Sequence, residues 1–179
     1  VSVPTMPTAR TALDSSISGN HAAPWRDVES LARTGFHWNV SIPLGRDLSG
    51  QIAVVTGSTG GIGKEIARGL VRLNATVVVA ARDAGRTEAT RAELTAENSR
   101  AIVVPMQVDV AEPESIRAFA AELRLRFGAI NLLVNNAGAW FTDRRVNSAG
   151  HELTFATTAL WPYLLTETLR EAFACPGWS

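Results

Sequence analysis

The sequence predicts an α/β protein built around a parallel sheet, and three observations indicate this fold class. From about residue 49, short apolar runs alternate with amphipathic helical windows, which is typical of repeated strand–helix–strand units. The runs are rich in valine and isoleucine without polar alternation, as expected for strands covered on both faces. The first run leads directly into a glycine-rich loop and a helix. The 179 residues are therefore expected to form one such domain preceded by an arm.

Four strands and four helices follow from these patterns. The strands are predicted over 52–55, 76–80, 101–104 and 130–134. The first helix should bury Ile62, Ile66, Leu70 and Leu73, and the third should bury Ile116, Phe119, Ala120, Leu123 and Phe127 and end at Gly128. The second, over 86–98, is weaker, with an inner face of alanines and Leu94. The last, over 151–173, should bend at Pro162 and point Leu153, Ala156, Leu160, Leu164 and Phe173 inward.

Residues 1–48 are predicted to form an N-terminal arm. The first 23 residues are rich in Ser, Thr, Ala and Pro and show no sustained period. A short helix is expected near 24–34, because Pro24 suits its start and Gly35 lies just past its end. Trp25, Phe36 and Trp38 either dock the arm onto the domain or form an aromatic patch for a partner.

Composition excludes several classes of function. Seventeen basic and seventeen acidic residues cancel, so neither nucleic acid nor an anionic membrane is an expected partner. No run of eighteen apolar residues occurs, so no membrane span is predicted. The single cysteine, Cys175, excludes an intrachain disulfide, and the three histidines lack metal-ligand spacing, so no metal is expected. A reducing, cytoplasmic setting fits this composition. Lys64 is the only lysine.

A phosphate-binding turn is predicted at residues 56–63, which read Thr-Gly-Ser-Thr-Gly-Gly-Ile-Gly. Glycines allow the backbone to approach a ligand closely, and the N–H groups at a helix N-terminus attract a pyrophosphate. A strand precedes this loop, and a helix and a second strand follow it at suitable spacing. That context distinguishes the loop from an ordinary flexible one.

The end of the second strand, Ala81-Arg82-Asp83, bears on the choice of dinucleotide. A free ribose 2′-hydroxyl is usually held by an acidic residue at this strand end, whereas a 2′-phosphate needs a cation. Ala81 and Arg82 therefore favour NADP(H) over NAD(H). The alternative is a solvated Arg82 that pairs with Asp83.

Four motifs in this order resemble the short-chain dehydrogenase/reductase family. They are Thr56-Gly57-x-x-x-Gly61-x-Gly63, Ala81-Arg82-Asp83, Asp109-Val110 and Asn135-Asn136-Ala137-Gly138. Segments 150–156 and 162–166 are similar to the retinol-dehydrogenase-like and protochlorophyllide-reductase-like branch. The resemblance covers about residues 49–173. It implies a Rossmann-like parallel sheet with strand order 3-2-1-4 and the fourth strand at an edge.

The resemblance also implies a cofactor site. Its residues are Gly57, Ser58, Thr59, Gly61, Ile62 and Gly63 in the glycine loop, Arg82 and Asp83 at the adenosine ribose, Asp109 and Val110 at the adenine, and Asn135, Asn136, Ala137 and Gly138 along the riboses. Simpler interpretations stay open for some of them. Asp109 would cap the turn before Pro113, and the two asparagines would satisfy backbone groups at the end of the sheet.

The catalytic residues of the family have no counterpart in this sequence. The family uses a tyrosine as general acid with a lysine four residues later, together with a serine and an asparagine, because hydride delivery to a carbonyl leaves negative charge on its oxygen. Here Tyr163 is followed by Glu167, and the asparagine position holds Thr158. Trp161 stands where the family has glycine, so it either fills vacated volume or faces a partner.

The chain stops at Ser179, about where the family's fifth strand begins, so residues 49–179 are expected to be a C-terminally truncated NAD(P)-binding half-domain. Three functions stay open. The protein is a component of carbonyl or alcohol oxidoreduction that needs a partner chain for its proton donor, a catalytically retired subunit that regulates a partner or supports cyclisation or epimerisation, or the product of an interrupted gene. An uncovered fourth strand predicts a homo-oligomer or a complex with a second short-chain-dehydrogenase-like chain.

Overall fold

The computed structural model describes residues 47–173. Nearly all of the predicted N-terminal arm, including the helix near 24–34 and its aromatic residues, lies outside the described residues. Residues 174–179 also lie outside them. The description that follows therefore concerns the α/β domain alone.

The domain alternates strands and helices along the chain. The strands are β1 (Ile52–Thr56), β2 (Thr76–Ala81), β3 (Val103–Gln107) and β4 (Leu132–Val134). The helices between them are α1 (Gly61–Arg72), α2 (Ala84–Glu97) and α3 (Pro113–Phe127). After β4 the chain forms a short α4 (Leu153–Phe155), a π-helical segment (Ala156–Leu160), α5 (Trp161–Leu169) and a 3-10 turn (Arg170–Ala172).

The four strands form one parallel sheet with the order β3-β2-β1-β4, which confirms the predicted order and the predicted Rossmann-like class. Val54 of β1 lies beside Val78 of β2 and Leu133 of β4. Alternate residues of the central strands enter two separate cores. Val54 and Val78 pack with α3 and α5, and Val55 and Val77 pack with α1 and α2. Burial on both faces explains why these strands lack polar alternation.

The buried face of α1 differs from the prediction. Ile62 is 76% exposed, and the buried residues are Gly63, Ala67, Leu70 and Val71. The face is therefore rotated by about one residue from the one that the large side chains indicated. Small residues lie inward because α1 approaches the sheet ends closely, and a rule that counts only large apolar side chains overlooks them.

The predictions for the other two early helices have different outcomes. α3 buries Ile116, Phe119, Ala120 and Leu123 and ends at Gly128, as predicted. The inner face of α2 is wrong as predicted, because Thr87 and Thr90 accompany Leu94 there and the alanines do not. Each threonine hydroxyl donates to a backbone carbonyl four residues earlier, which satisfies it inside the core. β3 also begins at Val103 rather than at residue 101.

The last helix is interrupted, and its buried face is shifted by one residue. The π-helical segment inserts an extra residue per turn just before Pro162, which lies in the first turn of α5. The buried positions are Ala156, Thr157, Trp161, Leu165 and Leu169 rather than Leu160 and Leu164. Trp161 is 1% exposed, and its indole N–H donates to Thr157 O at 2.7 Å. The indole therefore fills core volume, one of the two predicted alternatives.

β4 is the edge strand of the described sheet. It pairs with β1 on one side only, and Leu132 is 40% exposed. Beside its start, Phe173 forms an isolated parallel bridge with Ile130, where Ile130 N donates to Ala172 O at 2.8 Å. Between residues 47 and 173 no helix is both long and apolar enough to cross a membrane.

Candidate functional site

The glycine loop joins β1 to α1 at the carboxyl edge of the sheet. The chain turns at Gly57 with φ +66°, and α1 begins at Gly61 after an extended Gly60. Gly60 provides no side-chain cap, and the first turn of α1 contains no acidic residue. The N–H groups of this turn therefore face the loop without a competing protein anion, which suits them to bind a phosphate.

A buried cluster ties the glycine loop to the segment after β4. The Thr56 hydroxyl donates to Val134 O and accepts from the N–H groups of Asn136 and Ala137 at 3.1 and 3.2 Å. The Asn136 amide donates to Thr56 O at 3.0 Å and Gly57 O at 3.3 Å. The proposed role of Asn136 in satisfying backbone at the sheet end therefore agrees with its geometry. These bonds hold the two walls of a cleft at a fixed separation.

Two glycines are required by this close approach. A Cβ at Gly57 would lie 2.8 Å from Ala137 Cα. A Cβ at Gly63 would lie 2.5 Å from Gly57 O and closer still to Asn136 Nδ2. Both separations are shorter than van der Waals contact, so the loop needs glycine at these positions.

The cleft above the carboxyl edge has a volume of about 340 Å³. Nine of the predicted site residues line it: Gly57, Thr59, Arg82, Asp83, Asp109, Val110, Asn136, Ala137 and Gly138. The remaining lining residues are Ala81, Arg86, Val108, Ala111, Ala139, Phe141 and Thr157. The volume lies within the usual range for small-molecule sites, and the lining is apolar with a few convergent polar groups.

Five predicted site residues do not line the cleft. Gly61 and Ile62 form the first turn of α1, and Gly63 packs against Gly57 and Asn136. The buried Ser58 hydroxyl donates to Val55 O at 2.8 Å and accepts from Ala80 N at 3.0 Å, so it joins the ends of β1 and β2. Asn135 is exposed, and its amide donates to Thr166 of α5. Ser58 and Asn135 therefore connect the elements that border the cleft.

One end of the cleft is cationic. Arg82 is exposed there, and within residues 47–173 it forms no ion pair with Asp83. The Asp83 carboxylate instead caps α2 by accepting from Arg86 N at 2.9 Å. Arg86 is a lining residue that sequence reasoning missed, and its guanidinium lies 3.5 Å from where a Cβ of Gly60 would be. Its spacing, four residues after Arg82, is the signal that could have revealed it.

Asp109 follows β3, lines the cleft and forms a turn. Its carboxylate accepts from Ala111 N at 2.9 Å, and its own N–H donates to Ser115 Oγ at 2.9 Å. The predicted turn-capping interpretation therefore agrees with its contacts. Asp109 also lines the cleft, so both interpretations apply to the same side chain.

The titratable groups named as departures from the family lie away from the cleft. Lys64 forms an ion pair with Glu93, which links α1 to α2. Tyr163 is 70% exposed on α5 and contacts a separate, smaller cavity. Across the part of the chain that the structure describes, no tyrosine and lysine meet at the cleft.

Comparison with known proteins identifies the class. Residues 51–161 match the family model of the short chain dehydrogenases, so this chain belongs to that family. Within it, the chain is retinol-dehydrogenase-like. It is 35% identical to mouse retinol dehydrogenase 12 over 133 residues, and 37% identical to mouse polyprenol dehydrogenase over 130 residues. These matches cover 74% and 72% of this chain but only 40% and 38% of the relatives, so the chain spans about two fifths of their length.

Solved structures agree with this assignment. A metagenomic short-chain oxidoreductase in complex with NADP superposes with a TM-score of 0.62 at 36% identity, covering 70% of this chain and 57% of that one. L-Sorbose reductase from Gluconobacter frateurii, complexed with NADPH and L-sorbose, gives 0.62 at 30% identity, covering 70% and 49%. The family predicted from the four motifs is therefore confirmed.

Proposed function

We propose that this chain is the cofactor-holding part of an NADP(H)-dependent oxidoreductase that acts on a carbonyl or alcohol. The observation that carries the proposal is the cleft, which is lined by Gly57 and Thr59 of the glycine loop, just before the uncapped N-terminus of α1, and by Arg82 and Arg86. Backbone N–H groups and guanidinium groups are the donors that phosphates prefer.

The residues present fit a dinucleotide. Gly57 and Gly63 let the backbone of the loop approach Asn136 and Ala137 so closely that an added Cβ would overlap their atoms. Thr59 and the first turn of α1 would hold the pyrophosphate. Asp109 and Val110 would contact the adenine, and Ala137 and Gly138 would border the riboses.

The preference for NADP(H) over NAD(H) is part of the proposal. Position 81 at the end of β2 is alanine, the nearby Asp83 carboxylate accepts from Arg86 N as the cap of α2, and Arg82 and Arg86 both line that end of the cleft. Two similar proteins of known structure are described as NADP or NADPH complexes, which supports the same preference. We expect Arg82 and Arg86 to bind the 2′-phosphate together.

The chemistry requires a proton donor as well as a hydride. A nicotinamide dinucleotide supplies or accepts the hydride when it is bound. The chain's residues bind the dinucleotide and fix its orientation. In this proposal the tyrosine and lysine lie outside these 179 residues, because Tyr163 is exposed and Lys64 pairs with Glu93.

We also propose that further protein covers the free edge of β4. Leu132 and the backbone of this edge are available for a parallel strand, and Phe173 already begins such a pairing at Ile130. A second copy or another short-chain-dehydrogenase-like chain would fit this edge. A chain of the second kind would also supply the tyrosine and lysine that this chain does not bring to the cleft.

Titration with NADPH and NADH, followed by cofactor fluorescence, tests the proposal. The wild-type chain should bind NADPH, and Arg82→Ala or Arg86→Ala should weaken NADPH about tenfold, as expected for the loss of one charge-assisted hydrogen bond. NADH binding should change less than NADPH binding. Arg91→Ala is the matched control, since Arg91 lies on the same helix and pairs with Glu88. Equal losses for all three variants would contradict the proposed site, and a folded chain that binds neither dinucleotide would favour the retired-subunit alternative.

A further inference from the structure

Asn147 joins two parts of the protein that are distant in sequence. It lies in a hairpin in which Val146 pairs with Glu152, and Gly150 turns the chain with φ +80°. The hairpin leads from the end of the cleft into α4. The Asn147 side chain is only 9% exposed although it is polar, so it has to be hydrogen-bonded within the protein.

The Asn147 amide makes three hydrogen bonds with two separate purposes. Its oxygen accepts from Ala149 N at 3.1 Å and His151 N at 2.9 Å, and these bonds shape the hairpin. Its nitrogen donates to Ala111 O at 2.8 Å, across 36 residues of sequence. Only the last bond connects the hairpin to another segment.

Ala111 belongs to the wall of the cleft. Residues 108–111 all line it, and within them the Asp109 carboxylate accepts a hydrogen bond from Ala111 N. Asn147 holds the same residue through its other backbone group, Ala111 O. The nearby exposed contact of Ser148 with Glu112 also links the two segments, but it lies in solvent and contributes less.

We propose that Asn147 is a positioning residue for the adenosine end of the cleft, acting through Ala111. It never touches the ligand itself. Its buried amide fixes the wall of residues 108–111 at the distance that the adenine requires, so the loss of its N–H donor lowers affinity for the adenosine portion of the cofactor. This inference rests on the proposed cofactor site.

Asn147→Asp removes the hydrogen bond to Ala111 O and keeps the acceptor oxygen of the hairpin. An aspartate keeps the acceptor oxygen that shapes the hairpin, but it places an oxygen against Ala111 O in place of a donor. Asn147→Ala removes all three bonds. If Asn147 acts through Ala111, both variants should lose affinity for NADPH by about tenfold, the equivalent of about 1.4 kcal/mol. Their thermal midpoints should differ, because the alanine variant loses the hairpin bonds and the aspartate variant sets a carboxylate against Ala111 O.

The test titrates the full chain with NADPH and with adenosine 2′,5′-bisphosphate, a probe that contains only the adenosine end. The same fold-loss for both ligands is expected, together with faster hydrogen exchange in a peptide covering residues 108–112. Ser148→Ala is the control and should stay within about twofold of wild type. Wild-type affinity in Asn147→Asp would overturn the inference, as would losses that follow the thermal midpoints of the two variants. A wild-type chain that binds neither ligand would instead overturn the proposed function.

Discussion

The two walls of the cleft are built in different ways. The wall formed by β1, α1 and β2 packs tightly through glycines, and its strands are buried on both faces. The other wall begins at β4, a three-residue edge strand, and the chain then continues into a helix that a π-helical segment interrupts. A buried Trp161 packs behind this wall. The first wall therefore depends on close backbone approach at glycines, while the second depends on a large buried side chain and an irregular helix.

The largest expected effect comes from the second wall. Trp161→Ala should reduce the free energy of unfolding by about 3–5 kcal/mol, because it empties a fully buried site and removes the bond to Thr157 O. Urea unfolding measures this. Trp140→Ala is the matched control, since that indole is exposed, and its effect should stay below about 0.5 kcal/mol. Similar losses for the two tryptophans would contradict the packing role of Trp161.

Gly63→Ala tests how closely the first wall approaches the segment after β4. The added methyl group would overlap Gly57 O and the Asn136 amide, so a loss of about 3 kcal/mol in stability is expected, with a weaker NADPH complex. Gly69→Ala lies in the same helix with open space around it and should stabilise the chain by about 0.5–1 kcal/mol. Thermal unfolding compares the pair. Stabilisation by both alanines would show that α1 does not approach the other wall as closely as described.

Thr56→Val tests the connection between the walls. Valine keeps the shape of the side chain but leaves Ala137 N without its partner and removes one of the two partners of Asn136 N and Val134 O, which stay bonded to each other at 3.0 Å, so a loss of about 2 kcal/mol is expected. Thr168→Val is the control, because that hydroxyl donates only within its own helix. Chemical denaturation of both variants measures the difference, and an unaffected Thr56→Val would mean that the cluster does not join the walls.

The smallest effect concerns the surface of the first wall. Arg68 bridges α1 to α2 by pairing with Glu65, Glu93 and Glu97, and its hydrogen bond lowers the pKa of the Glu65 carboxyl. Such a carboxylate adds stability above its ordinary pKa and loses it as the pH falls through the lowered value. Arg68→Ala should therefore cost up to about 1 kcal/mol at neutral pH, and the cost should shrink as the pH falls below the ordinary glutamate pKa and through the lowered value. Arg117→Ala, an exposed pair within α3, is the control in unfolding measured across pH. A deficit that persists in acid would contradict the ion-pair origin.

Much of the first wall could be predicted from the sequence. The approximate positions of the strands and the α3 face followed from apolar runs and helical spacing, because burial of large side chains dominates both. The strand order followed from the resemblance to the short-chain dehydrogenases. Ile62 was predicted inward and lies outward, since close approach selects Gly63 and Ala67 for the inner face. Helical periodicity takes no account of such small residues.

The second wall was harder to predict because its determinants are tertiary. A π-helical insertion changes the helical phase without a composition signal, so Trp161 and Leu165 replaced Leu160 and Leu164 in the core. The contacts of Arg86 with the glycine loop and of Asn147 with Ala111 form only in the folded chain, so the sequence does not reveal them. A single sequence identifies the glycine loop, but it does not show which side chains hold the loop's surroundings in place.

The most direct test of the central claim mixes the purified chain with NADPH and then adds a carbonyl substrate, while cofactor fluorescence is followed throughout. A change in the NADPH signal on mixing, followed by no consumption after the carbonyl is added, is the predicted result. It would mean that the chain holds the cofactor and lacks a proton donor of its own. Consumption of NADPH by the chain alone would contradict the account, as would a folded chain whose addition leaves the NADPH signal unchanged.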